Sequence, residues 1–137
     1  MAILIHKRRV ALADTDAAGL LYFVSQLQYA HEAYELLMVE IGLPLRQIIA
    51  SESFLLPLVH LESDYLARLE VGDEIEVRTA VEKIGETSFV LSHQLFKADS
   101  LVGEAETVHV ALDKRSRGKV SLPDRLRQGL ENFRETS

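Results

Sequence analysis

Val24-Ser25-Gln26-Leu27-Gln28-Tyr29-Ala30-His31-Glu32-Ala33-Tyr34-Glu35-Leu36-Leu37-Met38-Val39-Glu40-Ile41 is the stretch in which the chain changes its hydrophobic period. At about 100° per residue, Val24, Leu27, Ala30, His31, Tyr34, Leu37, Met38 and Ile41 fall on one arc, whereas Ser25, Gln28, Glu32, Glu35 and Glu40 point elsewhere. The spacing predicts one long helix with a single wide buried face. Gly42 supplies a left-handed stop and Pro44 cannot continue a helix, so the element ends there; Leu45 to Ala50 adds a short turn.

Upstream, residues 3–13 are rich in β-branched and aliphatic types and run into Asp14-Thr15-Asp16-Ala17-Ala18-Gly19, which reads as a strand followed by a loop. Downstream, four segments have strand character: 54–69, 73–84, 88–99 and 101–113. Alternation is cleanest at Ile75, Val77, Thr79 and Val81, whose neighbours Glu74, Glu76, Arg78 and Glu82 would face solvent. Gly72-Asp73, Gly85-Glu86 and Asp99-Ser100 stand where hairpin turns are needed, so the sheet is expected to be mainly antiparallel. A basic loop, Lys114 to Lys119, and a short helix from Pro123 to Phe133 complete the chain.

A strand, one long helix and four strands in a row is an α+β order. The helix must bury its arc, and a mainly antiparallel five-stranded sheet wrapped around it does so. Such a subunit leaves an open sheet edge, which predicts pairing of copies.

At 137 residues, with 47% hydrophobic and 26% charged residues, the chain can bury one core; no repeat or linker divides it, so a single domain over 1–137 is expected. The absence of Cys excludes a disulfide scaffold, a thiolate zinc site and a Cys nucleophile. Asp and Glu outnumber Lys and Arg by 21 to 15, which argues against nucleic-acid binding and requires a local basic patch for any polyanionic ligand. The N-terminal order, apolar before basic, is the reverse of a secretory signal, and no apolar run reaches the ~18 residues of a membrane span. The expectation is a cytoplasmic protein without membrane insertion.

No G-x-S-x-G, phosphate-binding loop, G-x-G-x-x-G or H-E-x-x-H occurs, and the five histidines show no metal-ligand spacing; neither metal nor cofactor is predicted. What remains is Leu12-Ala13-Asp14-Thr15-Asp16-Ala17-Ala18-Gly19-Leu20-Leu21-Tyr22-Phe23, placed between a strand and the start of the long helix. A carboxylate beside free N–H groups at a helix start is the minimum needed to hydrolyse an activated acyl group, one part acting on water or carbonyl and the other holding the oxyanion. The plainer alternative is that Asp14 or Asp16 only caps a turn or the helix.

The segment resembles the signature of the hotdog-fold acyl-CoA thioesterases of the 4-hydroxybenzoyl-CoA thioesterase type, in which D-x-D-x-x-G opens the loop before the central helix. The order of elements along nearly the whole chain is that of the hotdog fold. Ala13-Asp14-Thr15-Asp16, His31-Glu32-Ala33-Tyr34-Glu35 and Leu56-Pro57-Leu58-Val59-His60 look most like the 1,4-dihydroxy-2-naphthoyl-CoA hydrolase branch of phylloquinone and menaquinone synthesis. Relatives associated with the Tol–Pal envelope system carry Tyr-His where this chain has Tyr22-Phe23.

The resemblance implies that Asp16 is the catalytic carboxylate and that backbone N–H groups around Phe23 bind the thioester oxygen, with Gly19 permitting close approach. It implies an acyl-CoA substrate, no cofactor, and a homodimer or dimer of dimers whose sites lie between subunits. Tyr22 is expected at the acyl pocket beside Phe23, and His60 at a polar aromatic acyl group. Thr87 and Ser88 would donate to the pantetheine or phosphates. Lys83, together with Arg115 and Arg117 of the loop that also holds Lys114 and Lys119, would meet the phosphates. Glu32 and Glu35 lie off the apolar arc and read as solvated or interface residues, and His31 as a satisfied buried histidine. Benzoyl-type or short aliphatic acyl-CoA hydrolysis, dehydration of a hydroxyacyl thioester and non-catalytic acyl-CoA binding are the competing functions.

Overall fold

A computed structural model of the chain describes residues 2–135. Met1, Thr136 and Ser137, at the ends of the expected 1–137 domain, lie outside them. The elements run β1 (Leu4–Arg9), α1 (Phe23–Glu40), α2 (Leu45–Ser51), β2 (Phe54–Leu55), β3 (Leu58–Tyr65), β4 (Glu74–Ile84), β5 (Ser88–Lys97), β6 (Ser100–Val110), β7 (Leu112–Asp113) and α3 (Asp124–Glu131). Five strands form one sheet in the order β1-β4-β5-β6-β3, antiparallel throughout, and β2 pairs with β7. Strands β1 and β3 are therefore the edges.

The core lies between α1 and the inner face of the sheet. Tyr29, Ala33, Leu37 and Met38 of α1 pack in one cluster with Ile75, Val77 and Val81 of β4 and Phe89, Leu91 and Leu95 of β5. The alternation expected on β4 is present, with Ile75, Val77, Thr79 and Val81 buried. Helix α1 closes in a Schellman motif: Leu43 N–H donates to Met38 O at 2.9 Å and Gly42 N–H to Val39 O at 3.0 Å, with Gly42 at φ +84°.

The buried face of α1 is rotated from the expected arc. It comprises Ser25, Gln26, Tyr29, Ala30, Ala33, Tyr34, Leu37 and Met38, leaving Val24 and His31 exposed and Leu27 half-buried. A count of apolar side chains misses this because two polar residues go inside, each donating to partners on other elements. Ser25 Oγ donates to Asp14 O at 3.0 Å, and Gln26 Nε2 donates to Ser63 Oγ at 2.8 Å and Asp64 O at 3.0 Å.

Three strand boundaries also differ. The first strand stops at Arg9, and a 3-10 turn over Leu12–Asp14 follows, fixed by Ala11 N–H donating to Asp14 Oδ2 at 3.0 Å. The 54–69 segment breaks at Leu56-Pro57 into β2 and β3, since proline has no N–H for the ladder. The last segment breaks at Ala111, whose N–H leaves the sheet to donate to Thr87 O at 2.8 Å. The turn between β5 and β6 is Ala98-Asp99, one residue earlier than expected, with Ala98 at φ +54°.

Candidate active site

The loop between β1 and α1 holds two carboxylates with opposite surroundings. Asp14 is buried, and its Oδ2 accepts from the Tyr29 hydroxyl at 2.7 Å and from Ala11 N–H at 3.0 Å, with Arg8 Nη1 at 3.2 Å. Burial pushes its carboxyl up, but the bonds from Tyr29 and Ala11 and the Arg8 charge outweigh this and hold it below the ordinary carboxylate value. Burial and the facing Asp14 in turn push the Tyr29 phenol up. Asp14 is thus a fixed structural anion.

Asp16 is exposed. Its Oδ1 accepts from Ala18 N–H at 2.8 Å and Leu20 N–H at 3.3 Å, and no cation pairs with it among the described residues. Its backbone N–H donates to Leu20 O at 2.8 Å. Gly19 turns this loop at φ +80°, and its N–H is spent on Asp16 O at 3.0 Å. Gly19 therefore shapes the turn, and its own N–H is not a free donor. No atom stands within 4 Å of where a Gly19 Cβ would be. The requirement for glycine is thus the backbone angle.

Helix α1 begins beside this turn. Among the described residues no acceptor is bonded to the N–H of Phe23 or Val24, so both donors stay open at the positive end of the helix. The carbonyl of Phe23 accepts from the Tyr65 hydroxyl at 2.5 Å, which ties the first turn of α1 to the end of β3. The rings of Tyr22 and Phe23 are exposed and meet edge to face at 4.9 Å. A groove of about 340 Å³ runs alongside, lined by Leu20, Leu21, Gln26, Tyr65 and Leu66 together with Arg68. A second, apolar cavity of about 320 Å³ starts at Val24 and runs along α1 past Leu27 and His31 to Tyr34, walled opposite by Leu58, Leu61, Thr107 and His109.

The remaining residues expected at the site do not converge on Asp16 within one chain. Thr87 and Ser88 lie at the start of β5, next to the far end of β4, whose eleven residues span roughly 30–35 Å. The basic loop is at that end too. Lys114 Nζ donates to the carbonyls of Ile48 at 3.2 Å and Ile49 at 2.8 Å, so it caps α2 instead of waiting for phosphate. Arg115 and Arg117 are exposed, in a turn whose N–H groups at Arg115 and Ser116 bond Asp113 Oδ2 at 3.0 and 2.8 Å. Lys83 is exposed on β4.

His60 is on the wrong face. A bulge between Leu58 and His60 shifts the register, so His60 stands opposite Val108 on the outer side of the sheet, its Nε2 3.1 Å from Glu62. Plain alternation from Leu58 would have aimed it inward; the extra residue reverses it. His31 is exposed instead of buried, 5.7 Å from the Tyr34 ring. Glu32, expected to be solvated, is half-buried, with an oxygen 2.9 Å from His6 Nε2 and 3.0 Å from Arg8 Nε. Nothing local in the sequence marks Arg8, Tyr29 or Tyr65, whose partners Asp14 and Phe23 stand 6 to 42 positions away on other elements. No cluster of three or more His, Asp or Glu able to hold a metal occurs among the described residues.

A family model described as the thioesterase-like superfamily matches residues 10–130. The chain belongs to that family. Its relatives include the 1,4-dihydroxy-2-naphthoyl-CoA hydrolase of Nostoc punctiforme, 36% identical over 129 residues, which are 94% of this chain and 87% of that protein. The enzyme of the same name from Synechococcus elongatus is 34% identical, covering 91% of this chain and 93% of its own length. The crystal structure of a 1,4-dihydroxy-2-naphthoyl-CoA thioesterase from Synechocystis aligns with a TM-score of 0.90 at 34% identity, covering 96% of this chain and 98% of that one. The antiparallel five-stranded sheet is that of thioesterase structures, and Asp14 to Phe23 form the junction of strand and helix in this member of the superfamily.

Proposed function

We propose that the chain hydrolyses 1,4-dihydroxy-2-naphthoyl-CoA to 1,4-dihydroxy-2-naphthoate and CoA, as the relatives' names say of those proteins, in quinone biosynthesis. The observation that carries this reading is an exposed carboxylate, Asp16, without a cation partner among the described residues, on the loop that leads into an α1 N-terminus with two open N–H donors. An ordinary carboxylate is ionised at neutral pH. It serves as nucleophile on the thioester carbonyl or as base toward water. In either route the carbonyl oxygen gains negative charge that the N–H groups of Phe23 and Val24 stabilise. The C–S bond then breaks and the thiolate leaves as CoA, taking a proton; on the nucleophilic route water then cleaves the acyl–Asp16 anhydride, which frees the acid and restores the carboxylate.

In this reading one domain over 1–137 acts in the cytoplasm as a homodimer or dimer of dimers, with the sheet wrapped about α1. No helix among the described residues is long and apolar enough to cross a membrane. Support for pairing comes from β3, an open edge with Leu58, Val59 and Leu61 uncovered, flanked by uncovered Val24 on α1. A second copy laid antiparallel on β3 would bring its far end, with Thr87, Ser88, Lys83, Arg115 and Arg117, toward Asp16 of the first. Tyr22 would stand at the acyl group and those basic residues at the nucleotide.

The test is Asp16→Asn in the purified protein with 1,4-dihydroxy-2-naphthoyl-CoA, free thiol as readout. The expected fall in kcat/KM is on the order of 10²–10⁴. A variant as fast as the parent overturns the assignment. Single-turnover hydrolysis in ¹⁸O-water tests the nucleophilic route: general-base delivery of water labels the product, whereas a first-turnover product without label requires an acyl–Asp16 anhydride opened at the Asp16 carbonyl, with the label left on Asp16.

A further inference from the structure

Behind the apolar cavity along α1 the inner face of the sheet carries a buried polar chain that the hydrolytic chemistry does not use. Thr79 Oγ1 is 2.7 Å from His93 Nδ1, His93 Nε2 is 3.0 Å from Thr107 Oγ1, and His109 Nε2 is 3.1 Å from that same hydroxyl. The chain ends at His109, whose ring is stacked between Phe89 at 5.1 Å and Tyr34 at 4.1 Å. Two polar atoms are left over. His109 Nδ1 and the Tyr34 hydroxyl are the buried side-chain atoms without a hydrogen-bond partner among the described residues. Both residues are nearly inaccessible to solvent, at 0% and 2% exposure, and both line the 320 Å³ cavity.

An orphaned polar atom in an otherwise apolar interior is costly and is retained where a ligand or a function needs it. Here the two rings that carry such atoms stack on each other and line one cavity, which extends along α1 to Val24 with its open N–H. An acyl group whose carbonyl sits at that N–H has this cavity as its continuation. We infer that Tyr34 and His109 are specificity-determining residues that bind an aromatic hydroxyl of the acyl group at the inner end of this cavity. The inference rests on the thioesterase reading above and deepens it.

The hydrogen-bond logic suits a phenol. Thr107 has a single proton to share between two imidazoles. When it donates to His93, it accepts from His109 Nε2–H, and His109 Nδ1 is left as an acceptor. When it donates to His109, the free nitrogen becomes a donor. Burial, reinforced by His31, pushes His109 down to about 4, so the ring is neutral and keeps this choice at physiological pH. The Tyr34 hydroxyl can take the complementary role. A ring without hydroxyls leaves both atoms unpaired, which is how a site discriminates against the deoxy analogue.

The experiment compares kcat/KM for 1,4-dihydroxy-2-naphthoyl-CoA and for 2-naphthoyl-CoA in the parent, Tyr34→Phe and His109→Gln. The parent is expected to favour the hydroxylated ester by at least about tenfold. Tyr34→Phe removes an atom that bonds nothing in the free chain, so it folds as the parent does. It is expected to lose most of that preference through a slower reaction with the hydroxylated ester, while its rate with 2-naphthoyl-CoA is unchanged. His109→Gln keeps an amide near the Nε2 position, deletes Nδ1 and gives the same selective loss. A parent that cleaves both esters equally well overturns this inference and leaves the thioesterase reading standing; a parent that cleaves neither removes both. Variants slowed equally on the two esters assign Tyr34 and His109 to packing and overturn the proposal.

Discussion

Asp14→Asn is expected to destabilise the fold while leaving the free carboxylate of Asp16 in place. Three donors meet Asp14 Oδ2: the Tyr29 hydroxyl at 2.7 Å, Ala11 N–H at 3.0 Å and Arg8 at 3.2 Å. A hydrogen bond to a charged group contributes about 1.5–3 kcal/mol. The asparagine carbonyl still accepts from Tyr29 and Ala11, so the loss falls mainly on the charge facing Arg8. Arg8 is not abandoned, because Glu32 holds its Nε at 3.0 Å. The cost therefore stays below the ~3–5 kcal/mol of a fully broken buried pair, at about 2 kcal/mol. For a chain of this size Tm drops by roughly 6–10 °C, read by circular dichroism at neutral pH. The pH dependence is a second check. Because the folded carboxyl lies below its ordinary value, its contribution is complete above about pH 4 and fades as the pH falls through the folded value. The gap between parent and variant must close in acid. A variant melting within about 2 °C of the parent at neutral pH, or a gap that widens in acid, would refute the role given to Asp14. Asp16→Asn, by contrast, should shift stability by no more than about 0.5 kcal/mol, since its contacts are to its own loop.

Burial holds His93 and His109 neutral, at about 3 and about 4, whereas the unfolded chain protonates near pH ~6.5. Stability should thus decline below that pH by about 1.4 kcal/mol per unit for each histidine, and urea unfolding from pH 7 to 5 should show a shallower slope in His93→Gln. Leu61→Asp puts a charge on the open β3 edge; sedimentation is expected to show a smaller assembly with reduced activity, and an unchanged assembly would place the interface elsewhere. Arg115→Ala should raise KM severalfold and flatten the salt dependence of CoA-ester binding with kcat preserved. Equal salt slopes in the two proteins would remove Arg115 from the phosphate site.

Most of the fold could be read from the chain because its signals are local. The period of α1, the alternation on β4 and the Gly42 stop each declare themselves within a few residues. What escaped needed a distant partner. Ser25 and Gln26 go inside because Asp14, Ser63 and Asp64 satisfy them, and that rotates the buried face of α1 away from its apolar stripe. His60 was misplaced by a single extra residue, which no pattern of hydrophobicity marks. At the candidate site, Asp16 and the helix start are legible as a motif, but which residues of distant elements or of a second copy would meet them is not encoded in spacing along one chain.

The division of labour inside Asp14-Thr15-Asp16 follows from the same distinction. Two identical side chains, two residues apart, differ only in what the neighbouring elements present to them. Asp14 receives Arg8 from β1 and Tyr29 from α1, and its carbonyl accepts Tyr22 N–H at 2.8 Å and Ser25 Oγ at 3.0 Å. Asp14 therefore rivets the end of β1 to the first turn of α1. The loop that carries Asp16 leaves and returns at that rivet, and its own turn is closed by Gly19 and Leu20. The position of the free carboxylate relative to the open N–H groups of Phe23 and Val24 is thus held by the buried one. In the proposed hydrolysis Asp16 can stay exposed and lightly bonded because its stationary neighbour supplies the rigidity that preorganisation requires. Exchanging the two roles is not possible by exchanging side chains, since both are already aspartate; it would require moving Arg8 and Tyr29.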